Sequence, residues 1–105
     1  MKNLGALLLS TLIASPAFAA DGPEACEAFA VKFLKGQGAD IKSVKIEQDS
    51  LIINRFDDKV GSQRVSTEYI GWANATWADK QTRERFVCLD AGFGKPVYFS
   101  FIPLN

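Results

Sequence analysis

Two cysteines, Cys26 and Cys88, constrain this chain more than any other feature. They lie far apart in a chain of 105 residues, and a bond between them closes a loop of roughly 60 residues. In the chain-entropy description such a closure stabilises the folded state by about 4 kcal/mol, less any strain. A catalytic thiol with a spare cysteine is the competing use of the pair. The chain contains no histidine, so a thiol nucleophile lacks its usual base. A disulfide that ties a helix near Cys26 to a strand through Cys88 is therefore expected.

The compartment read from the N-terminus agrees with this. Lys2 supplies a positive start, Leu4 to Ile13 is a short apolar run, and Ala17-Phe18-Ala19 has the A-x-A form of a cleavage site. The apolar run is about half the roughly 20 residues needed to cross a bilayer. Residues 1–19 are read as a secretory signal and residues 20–105 as one small domain, periplasmic or secreted. An oxidising compartment favours the disulfide. So does size, because a domain of under about 90 residues is marginal on its core alone.

Lys2 is the one charge in residues 1–19, so the remainder carries twelve carboxylates against eleven Lys and Arg. A net charge near −1, with the bases scattered, gives no electrostatic pull toward nucleic acid or anionic lipid. No nucleic-acid partner and no stable membrane insertion after signal cleavage are expected.

Along the chain, Asp21-Gly22-Pro23-Glu24 reads as a helix start, with Asp21 as cap and Glu24 completing a capping box. Ala25, Cys26, Phe29, Ala30 and Phe33 recur at helical spacing and define the inward face. Glu24, Glu27, Lys32 and Lys35 take the solvent side, and Gly36-Gln37-Gly38 ends the helix. From Ile41 the period changes to two. Val44 and Ile46 alternate with polar residues, then Gln48-Asp49-Ser50 turns into Leu51 to Phe56. Asp57 to Ser62 reads as a polar loop, Val65 to Ala78 as a long strand with a bulge or bend at Gly71. Two further strands, Thr82 to Asp90 and Pro96 to Ile102, form a hairpin around Ala91-Gly92-Phe93-Gly94-Lys95. The expected fold is α+β: one N-terminal helix across a four-stranded antiparallel meander.

After the second strand comes Gln63-Arg64-Val65-Ser66-Thr67, close to the Q-x-V-x-G of the first inhibitory hairpin of cystatins. The chain thus resembles cystatins, exported cysteine-protease inhibitors in which a helix packs across an antiparallel sheet. Thr67 stands where that motif has Gly, and Pro96-Val97 where their second hairpin has Pro-Trp. The resemblance implies a cystatin-like layout rather than protease inhibition.

Motifs for catalysis are weak. Without histidine, Ser-His-Asp and Cys-His devices are excluded, as are histidine-bearing metal sites. Asp57-Asp58 is the nearest carboxylate pair, and Lys59 sits where a calcium loop wants another oxygen ligand. Asn74-Ala75-Thr76 fits N-x-T but reads as ordinary strand. No catalytic residue, metal or cofactor is assigned.

The final hairpin is apolar on both faces, and one helix covers only one of them. Phe86 and Cys88 belong under the helix. Val87, Leu89 and Tyr98 then form an outer apolar patch with Arg85 on its rim, and Phe93 stands out on the loop. The expected function is a non-enzymatic protein-binding module, inhibitor-like or immunity-protein-like. Its partner is another protein or a second copy. The alternative is a small-molecule binder whose pocket lies between helix and sheet, lined by Trp72, Trp77 and Tyr98.

Overall fold

The computed structural model describes residues 22–92 and 94–104. The expected signal segment, the expected cap Asp21 and the loop residue Phe93 lie outside the described residues. Within them one helix, α1 (Pro23–Gly36), packs on an antiparallel sheet of β1 (Ile41–Ile46), β2 (Ile52–Val60), β3 (Gln63–Trp77), β4 (Gln81–Asp90) and β5 (Pro96–Ile102).

Helix α1 begins with Gly22 at the N-cap and Pro23 in the first turn, where the missing N–H of proline leaves no helical bond unmade. No described side chain caps it. It ends as expected: Gly38, at φ 92°, lets its own N–H and that of Ala39 reach back to the carbonyls of Lys35 and Leu34, both at 3.0 Å. The inward line, however, is Cys26, Ala30 and Leu34. Phe29 and Phe33 are half-buried and flank it, stacked on each other at 5.1 Å. Small residues at the centre of the contact let the helix lie close to the sheet. Glu27, expected in solvent, turns to the strand instead and accepts the N–H of Ile46 at 2.8 Å.

The sheet has five strands where four were expected, yet it is four strands wide. The fifteen residues of β3 are long enough to pair with two short strands end to end on one side. Val44 and Ile46 of β1 oppose Ala75 and Ala73, while β2 runs beside Gln63 to Ile70. The chain passes from β1 to β2 through a 3-10 turn, Gln48–Ser50, that runs beside the middle of β3 at Gly71-Trp72. Only β2 to β5 form a meander, since β1 and β2 do not pair.

That turn explains Gly71. The β3–β4 ladder runs without a break from Thr67↔Asp90 to Thr76↔Gln81, so Gly71 is not a bulge. A Cβ there would stand 3.0 Å from Ser50 Oγ and 3.1 Å from the Ser50 carbonyl oxygen. Glycine at this position admits the passing chain, and the neighbouring Trp72 N–H donates to Ser50 Oγ at 2.9 Å. The bulges fall elsewhere, at Ile41/Ser43, Arg55/Asp58 and Leu89/Asp90.

The expected polar loop at 57–62 is mostly strand. Asp58, Lys59 and Val60 pair with Val65, Arg64 and Gln63, which leaves Gly61-Ser62 as a tight turn. Polar composition misled here because this strand is exposed along nearly its whole length, so it shows no apolar alternation.

Beneath α1 the core is layered by register. Tyr69, Cys88 and Phe99 form one row, Gly71, Phe86 and Phe101 the next. Phe86 and Phe99 stack at 5.6 Å and are essentially inaccessible. Cys26 and Cys88 are bonded, with Cα atoms 6.3 Å apart and a sequence separation of 62. The bond is consistent with a non-cytoplasmic location. No described helix is long and apolar enough to cross a membrane.

Cys88→Ala is expected to lower unfolding free energy by about 2–5 kcal/mol, read from urea melts of oxidised wild type and variant. In the same assay Phe86→Ala should cost about 3–5 kcal/mol, as fully buried Phe truncations do. Phe29→Ala, half-buried on the flank, should cost clearly less. Equal losses at 86 and 29 would contradict the placement of the inward face.

Candidate functional site

Strand alternation divides the sheet's side chains between the helix and an opposite, open face. The register sets out that open face in rows across the strands. Asn54, Glu68, Leu89 and Tyr98 form the first, Ile52, Ile70, Val87 and Ser100 the second. Trp72, Arg85 and Ile102 form the third, and Lys45, Asn74 and Arg83 the fourth. No described helix lies over this side.

Four of the five expected binding residues can be placed, and three of them, Arg85, Val87 and Leu89, lie in successive rows of this face. Their exposure differs from expectation. Leu89 is only 8% exposed, since Cys88, Leu89 and Asp90 are all buried and β4 is covered on both sides at that end. Val87 is half-buried. Tyr98, at 40%, is open to solvent, but its ring also meets Phe33 of α1 edge-on at 5.6 Å. The edge position of β5 brings it within reach of the helix. The most exposed apolar side chain of the face is Ile52, at 55%. Leu89 is therefore a support beneath the patch, not its centre.

What sequence reasoning missed is a cluster around Trp72. Arg83 lies over the indole, its guanidinium carbon 4.1 Å from the ring centre, and Arg85 approaches the same ring at 5.6 Å. Arg83 is also held in a two-pronged pair with Glu47, Nε donating to Oε2 at 2.7 Å and Nη2 to Oε1 at 2.9 Å. Asn74 Nδ2 donates to the same carboxylate at 3.4 Å. The hydrogen bond from Arg83 holds the Glu47 carboxyl below its ordinary range, and the same bond raises Arg83 further above its own. Glu47 and Arg83 stand 36 residues apart, so no local spacing pointed to them.

Arg85 is different. It takes part in no ion pair among the described residues, and its Nε is shielded from solvent without a hydrogen bond. The aromatic ring beneath it and the aliphatic neighbour Ile102 hold a cation that no carboxylate among the described residues pairs with.

The remaining candidates are dispersed. Trp77 sits at the far end of β3 against Phe101, at 6.1 Å, with its indole N–H donating to Thr82 Oγ1 at 2.8 Å. Trp72 is on the open face and Tyr98 on the β5 edge, so these three do not line one cavity. A shallow groove lies instead at Ile53, Asn54, Arg55, Ser66 and Thr67. Asp57 is bound by Arg64 at 2.5 Å, and Asp58 Oδ1 accepts the Lys59 N–H at 2.7 Å. Among the described residues no three carboxylates or thiols gather as a metal site would require. Asp90 is buried, with Oδ1 accepting the Gly92 N–H at the hairpin loop.

The Glu47–Arg83 pair has a sign that can be tested. Because the folded state lowers the Glu47 pKa, its contribution is fully present above the ordinary value of 4.5 and is lost as the pH falls through the lowered one. Glu47→Gln should therefore flatten the decline in urea midpoint between about pH 5 and pH 3. An unchanged slope would show that the pair does not couple to folding.

Comparison of the chain with known protein families, with characterised proteins and with solved structures finds no match.

Proposed function

We propose that this chain is a small exported, non-enzymatic protein-binding module that works through the open face of its sheet. The observation that carries the reading is Arg85, a cation without an ion-pair partner among the described residues, seated by Trp72 in an apolar surface that α1 does not cover. A half-buried charge left unpaired is unfavourable unless a partner completes it. Aromatic and arginine side chains grouped in this way are the usual anchors of protein interfaces. Export is supported by the Cys26–Cys88 bond and the signal-like first nineteen residues.

An inhibitor-like or immunity-protein-like role fits such a module, since both act by covering a partner rather than by chemistry. The likeness to cystatins is one of layout. Gln63 and Val65 lie just beyond the Gly61-Ser62 turn, on a strand, with Val65 buried and Thr67 where an inhibitory loop would carry glycine. That hairpin is a poorer candidate for the working surface than the Trp72 cluster.

A photo-activatable residue at position 87 of the mature protein, compared with one at exposed position 32 on α1, tests the reading in a periplasmic extract. Protein adducts should form at 87 and not at 32, and should fall at least about fivefold when Trp72→Ala removes a central anchor. Equal labelling at both positions, or adducts indifferent to Trp72, would overturn it.

A further inference from the structure

The open face is self-complementary. Two half-buried charges of opposite sign lie on it outside any ion pair among the described residues, Glu68 in the first row and Arg85 in the third. Glu68 accepts a hydrogen bond from Asn54 at 3.1 Å, but no cation reaches it. Between them runs the row of Ile52, Ile70, Val87 and Ser100, three apolar side chains and a small one. The charged rows are four residues apart along the strands, about 13 Å at the strand rise of roughly 3.3 Å.

We infer that a second copy of this chain occupies the open face, related by a two-fold axis that runs along the Ile70–Val87 row between the two sheets. The inference rests on the protein-binding reading above and names its partner. Such an axis lays the first row of one copy over the third row of the other. Glu68 then comes over Trp72, one strand spacing (about 4.8 Å) from Arg85 and within side-chain reach of it, and Tyr98 over Ile102. Arg85 gains the carboxylate it lacks, twice over, because an isologous contact repeats every pairing. The apolar row meets its own symmetry mate at the centre, where burial contributes most. Reversing the strand direction in this way is compatible with aligned packing of two sheets, which lie about 10 Å apart.

The size of the face is adequate. Four strands at about 4.8 Å, over some ten residues of ladder, give a footprint of roughly 600 Å² per copy, comparable with the roughly 800 Å² per partner of a stable interface. A heterologous partner would need only one acidic anchor for Arg85 and would leave Glu68 unexplained. A second copy uses both.

Sedimentation equilibrium of the mature, oxidised protein provides the test. Wild type should be dimeric at tens of micromolar, and Glu68→Arg and Arg85→Glu should each weaken dimerisation by about tenfold or more, as loss of a paired interfacial charge does. The double variant, in which the charges are exchanged, should recover to within about threefold of wild type. Circular dichroism and melts establish that each variant is folded. A second measurement does not depend on the charges. Ser100→Cys lies on the axis row, so a bismaleimide spanning about 10 Å, the separation of packed sheets, should join two copies, whereas Ser62→Cys at the hairpin tip should not be joined.

A monomeric wild type overturns the dimer, as does a double variant no better than the singles or a Ser100→Cys protein that stays unlinked. If the protein is monomeric and position 87 still labels another protein in a Trp72-dependent way, the binding reading stands and only its partner is wrong. If neither occurs, both fall.

Discussion

The Cys26–Cys88 bond is the contact on which the rest of this structure depends. It joins the first turns of α1 to the middle of the sheet, in a row flanked by Tyr69 and Phe99. A helix of fourteen residues is marginal in water by itself, so it persists because its inward stripe is buried. That stripe is narrow: Cys26 and Ala30 are small, and Leu34 is its one large member. The covalent tie and the phenylalanines at its flank supply what a broader apolar face would give a larger domain. Glu27, bound to the Ile46 N–H, adds a polar fastening along β1.

Committing the only described helix to one side determines what the other side can be. A four-strand-wide sheet has as much surface behind as in front, and here the back is apolar in its middle row. Two arginines bring their guanidinium groups to the Trp72 ring there, which places charge beside an aromatic side chain. Arg83 is also fixed by Glu47, whereas Arg85 is held by no ion pair among the described residues.

Much of the fold was legible because local signals and long-range pairing agreed. The helix end at Gly38, the disulfide, Phe86 beneath the helix and the final hairpin all follow from periodicity and residue type. Failures came where tertiary context outweighed local pattern. Phe29 and Phe33 look like the heart of an amphipathic stripe, but Ala30 and Leu34 occupy it, because close approach favours a small residue at the centre. Strand β2 was invisible beyond Phe56 for want of alternation. Gly71 suggested a bulge, yet what needs glycine is a chain passing beside it. In the candidate site, Arg85 and Val87 were reached by parity alone. Leu89 was placed on the right face with the wrong exposure, and Glu47 depended on a pairing between distant elements.

One feature of β3 bears on motion. Its first residues, Gln63 to Val65, extend past the end of the β4 ladder and pair with β2, whose side chains lie mostly in solvent. Outward of Val65, which is buried, the tip of this two-stranded ribbon, Lys59 to Arg64, is exposed throughout and has little apolar surface to lose on opening. It can separate while the disulfide-tied layer beneath stays closed, so its amide protons should exchange with solvent through a low-energy local opening, far below the free energy of global unfolding. The molecule thus carries a soft lever on a stapled base, and stiffness falls along β3 from the Ala73–Ala75 end toward Gln63.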